Sequence, residues 1–337
     1  MTVLVSGASG HIGANLVRAL LGAGRKVRCL IHVHCQAIDG LDVETIEGDV
    51  LDPASLDRAM DGIETVYHLA ARISLSMNNE EPVWAVNVDG TRNVVEACLR
   101  NKVSRLVHFG SIHALVQEPF DVPVDEDRPL AIDRRYSPYD RSKAAGVLEV
   151  KKGIERGLDA VIIYPTGAFG PYDYEPSFFG QALINIASRK LPALVTGGFD
   201  WVDARDVAAG AMLAETRAAC GNTYLLSGHW VSVPKIDAMI AELTGGKTCR
   251  LTVPLWLAST GAPFIEAWSR YSRTRPIYTK FSLSALRSNR SISHARAAAD
   301  LGYQPRPFRE TLADTLAWFT ENGALNCEIY PRTGRTE

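Results

Sequence analysis

The chain of 337 residues lacks the features that mark several classes of protein. Lys and Arg total 36 against 38 for Asp and Glu, so it has no basic excess of the kind typical of nucleic-acid binding. None of its six cysteines forms a CxxC pair, which argues against a zinc ribbon or a thioredoxin-like site, and we expect no metal. Few and scattered cysteines indicate free thiols in a reducing cytoplasm.

Long apolar runs are also missing, so a membrane-spanning helix is not expected. Residues Met1–Val5 run straight into a glycine-rich turn, which predicts a buried strand rather than a signal peptide and favours a cytoplasmic protein. The most apolar stretch, Leu251–Trp268, precedes several arginines and could dock on a lipid surface. Pro254, Pro263 and Glu266 favour the alternative, a pair of helices over a substrate pocket.

The first 160 residues alternate between strand and helix signals. Strands are predicted at Val3–Val5, Val27–Ile31, Thr65–His68, Arg105–Phe109 and Ala160–Tyr164, and helices at Ile12–Leu21, Pro53–Met60, Glu81–Arg100 and Ser137–Arg156. Such alternation indicates a parallel sheet, and continuously apolar strands indicate a sheet covered on both faces. We therefore predict an α/β fold with a doubly wound, Rossmann-type sheet. Further helices are expected at Phe178–Ser188, Asp206–Thr216, Val233–Leu243, Arg290–Leu301 and Arg309–Glu321.

The turn after the first strand has glycines at positions 7, 10 and 13, a GxxGxxG spacing. A sharp turn without Cβ atoms lets a pyrophosphate approach backbone N–H groups at the start of a helix. The predicted dinucleotide-binding residues of this turn are Gly7, Ser9, Gly10, His11, Ile12 and Gly13. The alternative is a tight turn with no ligand.

The end of the second strand bears on the choice of dinucleotide. An acidic residue there would accept the ribose hydroxyls of NAD, but the strand ends at His32, which favours NADP and leaves NAD possible. His32 and His34 can also be read as exposed loop residues. After the third strand, Asp49 is expected to accept a hydrogen bond from the adenine amino group and Val50 to pack on the ring. The alternative for Asp49 is a loop residue, with Asp52 capping the next helix.

Tyr139 and Lys143 lie four residues apart in a predicted helix that begins with an Ser137-Pro138 cap, so they share one face. A nearby ammonium stabilises a phenolate and is expected to lower the pKa of Tyr139, which allows the phenol to act as a general acid and base. Ser111 follows the fifth strand and can hydrogen-bond the same substrate oxygen, although a capping role is an alternative. His113 is less distinctive and is as readily a polar loop residue.

These motifs together resemble the extended branch of the short-chain dehydrogenase/reductase superfamily, over roughly residues 2 to 320. Within the branch, the chain is most similar to dihydroflavonol-reductase-like and 3β-hydroxysteroid-dehydrogenase-like enzymes. The other segments that carry the resemblance are Asp49-Val50, His68–Ala71, Asn87–Thr91, Tyr164–Pro171 and Trp201–Val207. Two positions depart from the family pattern: Ser6 replaces a threonine, and His32 replaces an acidic or arginine residue.

The resemblance implies further roles. Lys143 would also hold the nicotinamide ribose, and Pro165 would lie near the nicotinamide. Other residues implied beside the cofactor are Leu69, Ala70, Ala71, Asn87, Tyr164 and Thr166. Relatives form homodimers through a four-helix bundle, here Glu81–Arg100 and Ser137–Arg156. The implied division is an NAD(P)-binding domain at 1–165, a smaller C-terminal α/β substrate-binding lobe at 166–325 with a return to the sheet near 200–227, and a tail at 326–337.

The branch contains ketone reductases, sterol dehydrogenases and nucleotide-sugar epimerases and dehydratases. The segment Gly197–Asp200 carries no cation for a sugar diphosphate, whereas the loop after Gly170 is rich in aromatic residues. These features favour an NAD(P)-dependent oxidoreductase acting on a hydrophobic small-molecule ketone or secondary alcohol. The alternatives are a nucleotide-sugar epimerase or dehydratase and, with Tyr139 and Lys143 both retained, less readily a non-catalytic cofactor sensor.

Overall fold

The computed structural model describes residues 2–32, 36–73, 80–261, 283, 286–327 and 329. Seven parallel strands form its main sheet: β1 Thr2–Ser6, β2 Lys26–Ile31, β3 Glu44–Glu47, β4 Thr65–His68, β5 Arg105–Phe109, β6 Ala160–Pro165 and β10 Thr223–Leu226. Their order across the sheet is β10-β6-β5-β4-β1-β2-β3. The chain moves outward from β1 in one direction and then in the other, so the predicted doubly wound α/β fold is confirmed.

Helices cover both faces of this sheet. They are α1 His11–Gly22, α2 Pro53–Met60, α3 Glu80–Trp84, α4 Thr91–Arg100, α5 Pro138–Glu155, α6 Phe178–Ala187, α7 Ala204–Arg217, α8 Val233–Thr244, α9 Ala295–Leu301 and α10 Phe308–Glu321. Helices α1, α7 and α9 pack together on one face, and α2, α4 and α5 pack on the other. Because every central strand is buried from both sides, its residues are apolar without alternation.

A π-helix at Ala85–Gly90 joins α3 to α4 inside the segment for which the sequence predicted one continuous helix. The helix α5 packs closely against it: a Cβ on Gly146 would lie 2.6 Å from the carbonyl oxygen of Asn87. A wider π turn changes the direction of its side chains, and such turns are frequent at functional sites.

The predicted helix caps are present where local sequence dictates them. Ser137 and Asp140 form a reciprocal capping box at the start of α5, and Asp52 caps α2. The predicted start of α9 at Arg290 is wrong, since the helix begins at Ala295. The preceding residues run extended because the Ser291 carbonyl and the Ser293 amide both hydrogen-bond the backbone of Val124.

The remaining strands form two small sheets. Strands β7 Gly167–Phe169, β9 Gly198–Asp203 and β11 His229–Ser232 make one, and β8 Leu194–Val195 pairs with β12 Thr252–Val253. Between them the chain returns to the main sheet as β10. None of the helices in the described ranges has the length and apolar character needed to cross a bilayer. Residues 262–268 of the predicted surface-docking stretch lie outside those ranges, as do His34 and most of the tail.

Candidate functional site

The glycine turn between β1 and α1 is shaped by its missing side chains. Gly7 has a φ of +77°, and a Cβ there would lie 2.7 Å from the amide nitrogen of Ala70. A Cβ on Gly13 would collide with the carbonyl oxygen of Gly7. At Gly10, the N-cap of α1, a Cβ would meet only this same oxygen, at an ordinary 3.5 Å. Gly7 and Gly13 are therefore required by the fold, whereas Gly10 keeps open space above the helix.

This turn fits a dinucleotide pyrophosphate. Ser9 and Gly10 are exposed, His11 and Ile12 are half-buried, and the first amides of α1 have no intrahelical partner. A helix N-terminus offers partial positive charge and N–H donors to phosphate. The imidazole Nε2 of His11 lies 3.0 Å from the Pro171 carbonyl oxygen, so this turn also contacts the loop that follows β7.

The predicted adenosine-side residues lie at the ends of β2 and β3. His32 is largely exposed, and its Nδ1 lies 3.5 Å from a carboxylate oxygen of Asp49. The other Asp49 oxygen accepts a hydrogen bond from the Leu51 amide. Val50 is buried and packs against Gly90 of the π-helix. The structure thus pairs His32 with Asp49 at the sheet edge and places Val50 in the core below it.

Ser6 and His68, at the ends of β1 and β4, begin a buried hydrogen-bond chain. The Ser6 hydroxyl lies 2.7 Å from His68 Nδ1, and His68 Nε2 lies 3.0 Å from Thr91 Oγ1. The Thr91 hydroxyl donates to the carbonyl oxygen of Asn87 at 2.8 Å. Because that proton is already committed, the pattern assigns the neutral Nε2–H tautomer to His68. Burial agrees with this, since it lowers the pKa of His68 to about 3.

The Asn87 side chain continues this network to the helix α5. Its Oδ1 accepts from the Arg72 amide at 2.8 Å, and its Nδ2 donates to the Arg72 carbonyl and to Ser142 Oγ. The Ser142 hydroxyl in turn donates to the carbonyl oxygen of Tyr139 at 2.8 Å. The backbone at Leu69, Ala70 and Ala71, predicted to lie beside the cofactor, is therefore fixed between the glycine turn and α5.

Ser111, Tyr139 and Lys143 come together beyond the carboxyl end of β5. The Ser111 side chain lies close enough to the Tyr139 hydroxyl to oppose the rise in its pKa, and it accepts a hydrogen bond from the His113 amide as the cap of a short 3₁₀ turn. Lys143 is buried, and its Nζ donates to the Phe109 carbonyl at 2.8 Å. Both roles considered for Ser111, substrate orientation and capping, are compatible with this position.

The protonation of this group differs from the expectation. Burial raises the pKa of Tyr139 to about 12, against the lowering effect of Ser111, and burial lowers the pKa of Lys143 to about 8. The expected lowering of the Tyr139 pKa is therefore not found in the chain alone. The reason is that desolvation disfavours both the phenolate of Tyr139 and the ammonium of Lys143.

His113 lies beside the reactive tyrosine. Its Nδ1 is 2.9 Å from a carboxylate oxygen of Asp140, in the first turn of α5. Its ring is in edge contact with Tyr139, with centroids 5.6 Å apart, and stacks on Phe199 at 6.1 Å. His113 is thus an ordered part of the site wall rather than a free loop residue.

The end of β6 supports the site from behind. The Tyr164 ring contacts Gly110, where a Cβ would lie 2.7 Å from the ring, and Pro165 is buried in the last strand position. Thr166 donates to the buried carboxylate of Asp200 at 2.6 Å, which also accepts from the Gly228 amide. Sequence reasoning missed Asp200, because only the tertiary fold brings β9 next to the end of β6.

An aromatic cluster extends from His113 into the second part of the chain. It consists of Phe169, Phe179, Phe199, Trp201 and Phe308, in successive ring contacts with centroids 4.6 to 6.1 Å apart. The loop after Gly170 contains four aromatic residues, Tyr172, Tyr174, Phe178 and Phe179, and only Phe179 belongs to this cluster. Tyr172 and Tyr174 instead pack around the Arg18 guanidinium on α1, and Phe178 is exposed.

Comparisons with known proteins agree with this geometry. A sequence model of the NAD-dependent epimerase/dehydratase family matches residues 3–226. The chain is 36% identical to sterol demethylase protein B of Methylococcus capsulatus, over 96% of this chain and all of that protein. It is 30% identical to a putative dihydroflavonol 4-reductase of Synechocystis, over 96% of each. The crystal structure of gox2253 superposes with a TM-score of 0.84, at 31% identity and over 96% of this chain and 99% of that one.

Two of these findings bear directly on identity: the family match covers most of the main sheet, and the relatives are similar along almost their whole length. The resemblance inferred from the motifs is thereby confirmed. The chain belongs to the NAD-dependent epimerase/dehydratase family and is an enzyme of the extended short-chain dehydrogenase/reductase type.

Proposed function

We propose that this enzyme transfers hydride between a nicotinamide dinucleotide and a hydrophobic ketone or secondary alcohol. The observation that carries the proposal is the convergence of Ser111, Tyr139 and Lys143 beyond the end of β5. His113 connects this group to the aromatic cluster through its ring contacts with Tyr139 and Phe199. The relatives' names refer to a sterol and a dihydroflavonol, which are hydrophobic ring compounds.

In this proposal the substrate oxygen lies between the hydroxyls of Ser111 and Tyr139. Ser111 orients the oxygen, and Tyr139 donates a proton to it during reduction or accepts one during oxidation. Lys143, held by the Phe109 carbonyl, stabilises charge that develops on Tyr139 and contacts the nicotinamide ribose. The bound nicotinamide supplies or accepts the hydride.

The cofactor is held by the glycine turn through its pyrophosphate and by the segment at Leu69–Ala71, next to Asn87, Tyr164, Pro165 and Thr166. We further propose a preference for NADP. His32 is exposed at the end of β2, where its imidazole would contact a ribose 2′-phosphate. His32→Ala should then reduce the affinity for NADPH more than that for NADH in fluorescence titrations.

Two points of organisation complete the proposal. The NAD(P)-binding unit covers residues 1–165 and the substrate-binding lobe 166–325, with α7 and β10 packed into the first unit. The enzyme acts as a homodimer through α4 and α5, which pack side by side at one face of the sheet.

A panel of ketones and secondary alcohols tests the proposal, with absorbance of the reduced nicotinamide as readout and NAD(H) and NADP(H) used in turn. We expect turnover of hydrophobic ring compounds. Tyr139→Phe should lower this turnover strongly, whereas Tyr136→Phe should retain it. Tyr136 is the matched control because its hydroxyl contacts the Arg135 side chain on the surface. UDP-sugars form a second arm: their epimerisation, with no turnover of the ketones, would establish the alternative within the family.

A further inference from the structure

Two histidines lie side by side behind the proposed catalytic lysine. His68 on β4 and His108 on β5 are register partners in the sheet, and their ring centroids are 5.4 Å apart. Both are almost completely buried, at 1% and 2% exposure. Such burial is uncommon for imidazoles unless their nitrogens are hydrogen-bonded.

The two rings differ in this respect. Both nitrogens of His68 have partners, Ser6 on one side and Thr91 on the other. Neither nitrogen of His108 has a hydrogen-bond partner among the residues that the structure describes. A neutral imidazole offers one donor and one acceptor, so His108 brings an unused acceptor into the core.

The Lys143 ammonium can supply the N–H donor that the acceptor nitrogen of His108 lacks. An ammonium group has three N–H donors, and the Phe109 carbonyl, one residue after His108, takes one of them. The proposed function assigns a second donor to the nicotinamide ribose, which leaves a third. Burial, with further contributions from His68 and Lys143, lowers the pKa of His108 well below its ordinary value, so the imidazole is neutral and able to accept.

We propose that His108 is a positioning residue for Lys143: its imidazole accepts the remaining ammonium N–H through one bridging water molecule. His108 thereby holds the lysine charged and aimed at Tyr139 and the cofactor. This inference rests on the proposed function for its catalytic consequence, whereas the contact itself can be tested without a substrate.

The direction of the effect follows from charge. Removing an acceptor from a buried ammonium disfavours its protonated form, so the pKa of Lys143 falls and Tyr139 loses stabilisation of its phenolate. Among the described residues, His68 on β4 lies beside His108, and His113 after β5 and Asp140 on α5 lie beside Tyr139. All three residues stay in place when only His108 is replaced.

The test uses NMR on the full chain containing ¹³C-labelled lysine, without cofactor and with saturating NADPH. The Lys143 signal is identified by its loss in Lys143→Arg. We expect a midpoint of about 8 in the unmodified chain and about one unit lower in His108→Leu. His108→Gln keeps an acceptor and should restore most of the shift. Leu106→Met is the matched control, since Leu106 is buried on the same strand and the same sheet face.

The outcomes separate this contact from a purely structural role. If the midpoint in His108→Leu stays at that of the unmodified chain while thermal unfolding shows a folded protein, the proposal is overturned. If His108→Leu does not fold, His108→Gln and His108→Phe replace it, and an equal midpoint in those two variants overturns the proposal. With an active substrate, His108→Leu should move the pH profile of alcohol oxidation upward with little change in KM. Absence of turnover in the unmodified chain would count against the proposed function and leave the NMR result to stand alone.

Discussion

Gly10→Val should strongly weaken dinucleotide binding and leave the protein folded. Of the three glycines in the turn, Gly10 is the one whose missing Cβ is not needed by the protein itself. Its φ of −77° and ψ of 166° are open to any residue, and a Cβ there would be 3.5 Å from the Gly7 oxygen. The valine methyls would instead fill the space over the first amides of α1, where we place the pyrophosphate.

The magnitudes can be worked from these contacts. Loss of one or two charge-assisted hydrogen bonds from phosphate to backbone amides costs about 2–4 kcal/mol, which is roughly a 30- to 1000-fold weaker Kd. Valine is a poorer N-cap than glycine by about 1 kcal/mol, but it loses less backbone entropy on folding, by about 0.4–1 kcal/mol. The free energy of unfolding should therefore change by no more than about 1 kcal/mol.

Fluorescence titration of NADH and NADPH gives the two dissociation constants, and urea unfolding gives the stability. Gly22→Val is the matched control, because Gly22 ends the same helix and a Cβ there meets nothing within 4 Å. It should bind both dinucleotides normally. Gly13→Val should show the opposite pattern to Gly10→Val, with a loss of about 1–3 kcal/mol or more in stability from overpacking. Unchanged affinity in folded Gly10→Val would refute the placement of the pyrophosphate.

Three further predictions concern catalysis, pH and assembly. Tyr139→Phe should lower the turnover rate by ~10²–10⁴ while the Kd for NADPH is retained. The loss of turnover in Ser111→Ala should be smaller, because only one orienting hydrogen bond is removed. Steady-state kinetics that show full turnover in Tyr139→Phe would contradict the proton-transfer role. The pKa of Lys143 is about 8 in the fold against 10.5 for an exposed lysine, so between these values the unfolded chain holds a proton that the folded chain has released. The free energy of unfolding should therefore rise with pH in this window, by up to about 3 kcal/mol relative to Lys143→Met in urea unfolding, and parallel pH curves for the two chains would contradict the burial argument. Light scattering should give twice the mass of one chain, and a mass of one chain at micromolar concentration would exclude the dimer.

The features that the sequence predicted well are those dictated by neighbours along the chain. The strands of the main sheet are continuous apolar runs, and the start of α5 is fixed by Ser137, Pro138 and Asp140 within four residues. The GxxGxxG turn is likewise local, and the structure shows a steric reason for Gly7 and Gly13. Periodicity and capping carry such information because their interactions span no more than one helical turn.

The features that were not predicted depend on contacts between distant segments. The segment from Arg290 to His294 has a helical composition but pairs with Val124, more than 160 residues away. The aromatic loop after Gly170 is predicted to favour a hydrophobic substrate, yet Tyr172 and Tyr174 pack on Arg18 and only Phe179 packs on Trp201 of the aromatic cluster. A local sequence pattern shows which residues are apolar, but their contacts with one another depend on the tertiary fold.

The protonation of Tyr139 and Lys143 likewise combines a contribution from local sequence with one from contacts between distant segments. The spacing of Tyr139 and Lys143 supplied one contribution, the attraction between an ammonium and a phenolate one turn apart, and it has the sign that lowers the tyrosine pKa. Burial supplies the opposite contribution, and it dominates: the pKa of Tyr139 is raised to about 12 and that of Lys143 is lowered to about 8. Burial depends on how β5, α5 and the Phe199 segment close around the pair, which no short motif records. Without cofactor, Tyr139 is therefore protonated, which is the form that reduction of a ketone requires. Oxidation of an alcohol requires that this proton first be removed. For this reason we expect oxidation to gain rate with rising pH while reduction loses it, with the Ser111 hydroxyl as the group that opposes the desolvation of Tyr139.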